Sequence, residues 1–369
     1  MLELLIVMGI FMIVIAAASQ MFVSLLSDYK QQSKITVTNI EGILGLEMMR
    51  RDIENAGYGL PWEGLPSAGA YAEVGGGGDA EAIALNDAPP NAPRAIVSRN
   101  DTGWHETDRL VVKAINVAMN STSEHWNFLY TTPAVATNVW RNIDGTPAAD
   151  NLLATDRIIV ISQDANSRRL LPYTGIGGGF SSTFSNVASF SATRSDPSIV
   201  YGVDPNTPAL KMPFNRADYY VQPPVNASDL PRYCAAGTGI LYKAVIENKN
   251  TSTGFLTAQP LLECVADMQV AFLRDLNGDG TAEDHTEDLT GSTAQDIRNQ
   301  VREVRVYILA QEGQRDRNYT YPNQVVRVGE TGGIVGTVGR DFNLNVNITD
   351  WSHYRWKLYT LVVRPSNLQ

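Results

Sequence analysis

Residues 1 to 30 read MLELLIVMGIFMIVIAAASQMFVSLLSDYK, and between Glu3 and Asp28 there is no charged residue, a gap of 24 positions (4 to 27). Coiled as an α-helix at about 1.5 Å per residue, that gap reaches roughly 36 Å, enough to cross a hydrocarbon core of about 30 Å. A cleaved secretory signal would open on basic residues, carry a shorter apolar run and end at a small-residue cleavage site. This segment opens on an acid and its apolar run is too long, so it is expected to be a transmembrane helix. Glu3 is the exception within it, since a carboxylate drawn to mid-membrane costs about 2.5–3.5 kcal/mol. Either Glu3 rests among lipid headgroups, or it finds a positive partner when such helices pack together.

The helical pattern continues past Asp28. No proline occurs from Tyr29 to Asn55. Ile40, Ile43, Leu44 and Met48 form one apolar strip, with Leu46, Met49, Ile53 and Ala56 beside it. Gly57, Gly59 and Pro61 supply a stop. The expectation is one helix of about 55 residues, roughly 80 Å long. Residues 1–27 form its transmembrane half and 28–57 its amphipathic half, and the β-branched run Ile35-Thr36-Val37-Thr38 is its weakest stretch.

Composition bounds the character of the chain beyond the helix. Charged residues are 18% of the 369 and hydrophobic ones 44%, which supports a packed core and argues against wholesale disorder. A net charge of −10 disfavours nucleic acid as a partner, because phosphate contacts need a basic face. Two cysteines make neither a disulfide-rich scaffold nor a zinc site on their own. The four histidines, His105, His125, His285 and His353, are scattered. Neither GxSxG nor HExxH occurs, and no catalytic residues are expected. His105 with Glu106 and Asp108, and His285, read as exposed polar turns.

Beyond Pro61 short apolar runs alternate with Gly, Pro, Asn and Asp, the texture of strands and loops. Expected strands are Ala95–Arg99, Asp108–Val117, Arg157–Ser162, Tyr219–Gln222, Ile240–Ile246, Cys264–Leu273, Val304–Ala310 and Leu358–Arg364, with a short helix at Thr293–Asn299. Residues 64 to 94, with Gly75–Gly78 and Pro89-Pro90, read as loosely structured. Gly175–Gly179 reads as a loop, since no GxxxxGK[ST] is present to cradle phosphate. The fold class expected is α+β: a long amino-terminal membrane-spanning helix followed by a large β-rich globular head.

LELLIVMGIFMIVIAA (Leu2 to Ala17) resembles the amino-terminal segment of type IV pilins and type II secretion pseudopilins, so the architecture is pilin-like. EMMRRDIENAGYGLP (Glu47 to Pro61) resembles the end of that helix in minor pilins of the PilW type. The likeness resumes in KMPFNRADYYV (Lys211 to Val221), TGILYKAVI (Thr238 to Ile246), LLECVADMQVAFLRDLNGDG (Leu261 to Gly280), IRNQVREVRVYILAQEGQRD (Ile297 to Asp316) and HYRWKLYTLVVRPSN (His353 to Asn367). On this basis the head divides into a variable part, 58–205, and a carboxy-terminal PilW-like part, 206–369.

The resemblance implies a minor pilin, a structural subunit acting in initiation or at the tip of pilus assembly. Its partners would be other pilin subunits, major and minor, through the amino-terminal helix, together with an inner-membrane assembly platform and a prepilin peptidase. That peptidase removes a short leader, the new terminus is methylated, and an acidic residue near it pairs with a neighbour's terminal amine; Glu3 would carry this role. The chain would sit in the inner membrane with its head in the periplasm, then at the cell surface in the pilus. Glu3 lies two residues nearer the start than the family pattern, and the usual Phe is missing, so the chain is expected to begin inside its gene. The alternatives are a J-like pseudopilin, the main subunit or adhesin of a pilus-like filament, and a signal-anchored periplasmic protein.

Asp275, Asn277, Asp279, Thr281 and Glu283 fit positions 1, 3, 5, 7 and 9 of a calcium loop, with Gly280 at the sharp turn. Asp284, Glu287 and Asp288 stand near enough in sequence to complete the shell. Thr286 replaces the usual bidentate Glu at position 12, and a strand, not a helix, precedes the loop. The alternative is a solvated acidic turn. Calcium here would be a structural cofactor. Cys234 and Cys264, if exported, are expected to form a disulfide, worth roughly 3.5 kcal/mol in the chain-entropy model; two separate buried thiols remain the other reading.

Overall fold

The computed structural model describes residues 2–63, 71–75, 79–87, 91–118, 120–130, 136–163, 167–192, 198–205, 209–249, 254, 258–332 and 336–368. Helix α1 runs unbroken from Leu2 to Glu54, 53 residues, or about 80 Å. Its β-branched stretch stays helical, and the Thr36 and Thr38 hydroxyls donate back to the carbonyls of Gln32 and Lys34 at 3.0 Å. The stop falls where the glycines stand. Gly57 and Gly59 take left-handed φ of 84° and 67°, and a Cβ on Gly59 would lie 2.5 Å from the Ile115 side chain.

Two environments divide α1. Among the described residues no part of the head lies against its amino half: Leu4, Phe11 and Phe22 are 68%, 64% and 63% exposed. From Gln31 onward the head lies along the helix. Gln31 Nε2 donates to Gln314 O at 2.9 Å, and the Gly313 amide to Thr38 Oγ1 at 3.3 Å. Lys357 Nζ and Tyr359 OH both donate to Asn39 Oδ1, at 2.9 and 3.1 Å. Of the two apolar strips, Leu46, Met49, Ile53 and Ala56 enter the core, while Ile40, Ile43 and Leu44 stay exposed.

The strands in chain order are β1 (Ile96–Arg99), β2 (Arg109–Ala114), β3 (Trp126–Tyr130), β4 (Ala136–Thr137), β5 (Arg157–Gln163), β6 (Arg168–Leu170), β7 (Ser182–Thr183) and β8 (Ser198–Asp204). They continue with β9 (Asn215–Gln222), β10 (Gly239–Val245), β11 (Gln259–Arg274), β12 (Asp284–Thr286), β13 (Val301–Glu312), β14 (Val325–Thr331), β15 (Thr337–Asn343) and β16 (Arg355–Val363). The main sheet has the order β1-β2-β9-β10-β11-β13-β16, with β12 on β11, and its pairings are antiparallel. A second sheet, β4-β3-β8-β5-β6 with β7 on β5, is built from residues 126 to 204, and β14–β15 form a separate hairpin. Strands from both sides of residue 205 therefore share the main sheet. One face of that sheet receives α1, where Gly45 lies so close to β11 that a Cβ would overlap the Leu261 carbonyl oxygen. A side chain there would hold the helix off the strand.

Several expectations are corrected. The strand expected over Asp108–Val117 ends at Ala114, because Ile115–Val117 turn into a 3₁₀ segment. β11 is 16 residues long, bent by a left-handed Cys264 at φ 55°, where its register with β10 slips. The short helix is α3 (Ala294–Gln300), capped by Thr293 and Asp296 in a reciprocal capping box. β3, β8 and the β14–β15 hairpin were not anticipated.

The largest correction concerns residues 64 to 94. Residues 64–70, 76–78 and 88–90 lie outside the described residues. The rest pack on the main sheet around α2 (Ala80–Ala84), with Tyr71, Glu73, Val74, Leu85 and Asp87 buried. Charge draws them there. Lys113 Nζ of β2 lies 2.8 Å from Glu73 and 2.5 Å from Asp87, and Arg216 of β9 contacts Glu73 at 2.8 Å and Asp218 at 2.7 Å. Arg94 Nε closes on Asp87 at 2.6 Å. Lys113 and Arg216 are fully buried, so each charge requires these partners.

Candidate functional site

Glu3 stands exposed in the first turn of α1, and among the described residues it has no ion pair. It heads a helix long and apolar enough to cross a membrane, with its most apolar stretch unburied. An 80 Å rod with a free apolar half transmits force and position only if its other half is fixed to the head. The junction does this with polar clamps inside an apolar contact. Asp52 of α1 accepts from Tyr219 OH of β9 at 2.5 Å and pairs with Lys243 Nζ of β10 at 2.5 Å. Lys34 Nζ lies 3.6 Å over the ring of Tyr233. The sequence reading missed Asp52, Tyr219 and Lys243; the Gly42-x-x-Gly45 spacing was the signal for the close approach of helix and strand.

Cys234 and Cys264 are joined, with Cα atoms 5.0 Å apart. The bond ties the turn before β10 to the bulge in β11. Gln311 of β13 braces the same turn, donating from Nε2 to Tyr233 O at 2.7 Å and accepting from the Ala235 amide at 2.7 Å. Tyr233, which meets Lys34, is thereby held against the helix.

In the acidic loop, single carboxylate oxygens of Asp275, Asp279 and Glu283 lie within 4.8 Å of one another. Asp275 is buried and accepts from the Gly278 and Gly280 amides at 2.6 and 2.8 Å, while Arg302 Nη2 lies 2.9 Å from its Oδ2. Asn277 Oδ1 accepts from the Asp279 amide at 2.8 Å, and Asp279 Oδ1 from the Thr281 amide at 2.7 Å. Glu283 reaches back to the Leu276 and Asn277 amides at 2.7 and 3.0 Å. The three acids expected to complete a shell are engaged elsewhere. Asp284 pairs with Arg274, Glu287 accepts from the Gly339 amide, and Asp288 from the Thr290 amide.

The histidine clusters need two corrections. His285 stands half-buried on β12, paired with Leu273 of β11, and not in an exposed turn. Asp108 is no exposed turn residue: it is buried and accepts from the Asp101 and Val270 amides at 2.8 and 2.7 Å. Burial pushes its carboxyl well above the usual range, against the pull of those two amides. His105 stacks on Trp104 at 3.7 Å with a left-handed φ of 53°. No nucleophile–base pairing accompanies it among the described residues.

Residues 218–367 match the family model described as Type IV Pilus-assembly protein W. The matched stretch contains the junction strands, the disulfide and the acidic loop; the second sheet lies outside it. No curated protein matches the chain, and no solved structure does. The family is a structural and assembly component and not a known enzyme family. The match supports a type IV pilus-related protein with a part in pilus assembly.

Proposed function

We propose that the chain is a minor pilin that acts in initiation or at the tip of a type IV pilus. The observation that carries this is the free amino half of α1, uncharged from residue 4 to 27 and headed by Glu3, on a helix whose other half is clamped to the head. Such a helix rests in the inner membrane with the head in the periplasm, after its leader is removed by a prepilin peptidase and its terminus methylated. To leave lipid it must be re-buried against similar helices, and the exposed Ile40, Ile43 and Leu44 extend that apolar surface beyond the bilayer. Glu3 would fix register by pairing with a neighbouring pilin's terminal amine on the assembly platform. The head, residues 58 to 369, is bulky for a subunit repeated along a thin fibre, which favours a position with no like neighbour above it.

The test is quantitative mass spectrometry of sheared filaments from cells carrying the chain or its Glu3→Ala variant. The expected result is trace recovery of the chain without the substitution. Recovery of the variant should fall at least about tenfold, the factor produced by losing 1.4 kcal/mol of pairing, with its membrane level unchanged. Recovery as the dominant filament protein would make it the main subunit or adhesin. Equal incorporation of both forms sinks the role of Glu3, and absence from filaments indicates a membrane-anchored protein.

We further propose that the acidic loop takes calcium as a structural ion, held by Asp275, Asp279 and Glu283 with Asn277 and Thr281. The clustering of carboxylates at positions 1, 5 and 9 supports this. Arg302 is the rival cation for Asp275, so the alternative is a loop that needs no metal. At a hundred times its Kd, calcium should stabilise the fold by about 2.7 kcal/mol, measured as a rise in denaturation midpoint that the Asp279→Asn, Glu283→Gln double variant abolishes. A midpoint that ignores millimolar calcium leaves the solvated acidic turn.

A further inference from the structure

One face of β3 in the second sheet carries a row of aromatic rings, which at its Trp126 end packs against the main core and at its Tyr130 end is exposed. Along β3, Asn127 and Leu129 point inward and are buried, while Trp126 and Phe128 are half-buried and Tyr130 is 45% exposed. Outward-facing positions on a solvated sheet ordinarily carry polar residues. Here the ring centroids of Trp126 and Phe128 are 5.1 Å apart, those of Phe128 and Tyr130 6.1 Å, and Trp140 from the following loop closes on Trp126 at 5.3 Å.

The rings are held in place. Asn127 grips the backbone of Asn138 through bonds of 2.8 and 2.9 Å, and Asn151 grips that of Trp140 through two bonds of 2.8 Å. Trp140 Nε1 donates to Trp126 O at 3.1 Å, and Asn138 Nδ2 to Tyr130 OH at 3.1 Å. Beside the rings opens a cleft of about 400 Å³ lined by Glu124, His125, Trp126, Trp140 and Asp150. Glu124 pairs with Arg51 at 3.7 Å, and its side chain is 60% exposed. His125 Nδ1 is buried and has no hydrogen-bond partner among the described residues. The sheet adjoins the carboxy-terminal end of α1, where the Trp62 amide donates to Arg168 O at 2.8 Å and Tyr58 meets Tyr201 at 5.4 Å. That end is the one farthest from the membrane half of the helix.

We propose that this face binds a glycan of hexopyranose units, neutral or bearing amino groups, displayed outside the cell. A pyranose ring offers an apolar C–H face that stacks on a preorganised aromatic ring, and a rim of hydroxyls that carboxylate and imidazole acceptors take up. Two carboxylates at the cleft, on a chain of net charge −10, favour an amino sugar and repel uronic acids. The binding does not depend on the chain's place in a filament.

The test uses the full chain in detergent micelles and follows tryptophan fluorescence. The probes are N-acetylglucosamine hexamer, glucosamine hexamer and galacturonic acid hexamer. Saturable binding of a hexosamine probe, with none of the galacturonate, is expected. Trp140→Ala should raise Kd about tenfold, and Tyr130→Ala several-fold. Tyr130 is 45% exposed and loses only an exposed hydrogen bond to Asn138, so its variant is expected to fold and decides the matter if Trp140→Ala unfolds the sheet. No saturable binding of either hexosamine overturns the proposal. So does binding unchanged by both variants, or a preference for galacturonate.

Discussion

Lys113→Met should destabilise the head by about 3–5 kcal/mol, the usual cost of removing one partner from a buried ion pair. The ammonium of Lys113 is fully enclosed between Glu73 and Asp87. Methionine fills its volume but takes one buried counter-charge from each carboxylate, leaving Glu73 to Arg216 and Asp87 to Arg94. Denaturant midpoints at constant slope would measure the loss. The Lys113→Met, Asp87→Asn double variant should cost less than the two singles together, by about 0.5–3 kcal/mol, because the pair is coupled. Strict additivity would show that the network is geometric only.

The network also has a pH signature. Burial alone would raise Asp87, but Lys113 and Arg94 outweigh it and hold its carboxyl below the usual range. Its contribution is therefore complete above an unfolded value of about 3.9 and is lost as pH falls through the lowered one. Asp108 acts with the opposite sign. Its raised pKa imposes a cost at neutral pH that is relieved as pH falls through that value.

Replacing both Cys234 and Cys264 by Ser should cost roughly 3.5 kcal/mol, from the entropy regained by the unfolded chain over a separation of 30 residues. The loss should not be confined to the turn. Tyr233, next to Cys234, carries the ring under Lys34, so the turn links the sheet to α1. Hydrogen exchange should rise at residues 231 to 238 and also on α1 between Gln31 and Asn39. A double variant with an unchanged midpoint, or one whose faster exchange stops at the turn, would remove the disulfide from the helix junction.

Much of the architecture was legible because its signals are local. An uncharged run of 24 residues is a helix of membrane length wherever it is placed, and the glycines at 57 and 59 end it by their own backbone preference. The apolar runs of β5, β10 and β13 declare strands in the same way. The calcium-loop spacing is equally local, and the carboxylates at 275, 279 and 283 do converge.

What the sequence could not decide depends on partners far along the chain. Two apolar strips on α1 are equivalent by periodicity, and only the position of β11 determines that Leu46, Met49 and Ile53 are buried while Ile40, Ile43 and Leu44 are not. Residues 71–75 and 79–87 look like linker because the stretch around them is rich in glycine and acids. They become core because Arg216, 143 positions away, offers Glu73 a counter-charge that burial then makes obligatory. The aromatic row of β3 is invisible as a surface until Leu129 is seen to face the other way. The sequence by itself determined the helix and the β character of the head, since those arise from backbone preference and burial pattern along a few residues. Only the tertiary structure decided which charges, strips and rings meet, because that is fixed by contacts across the sheets.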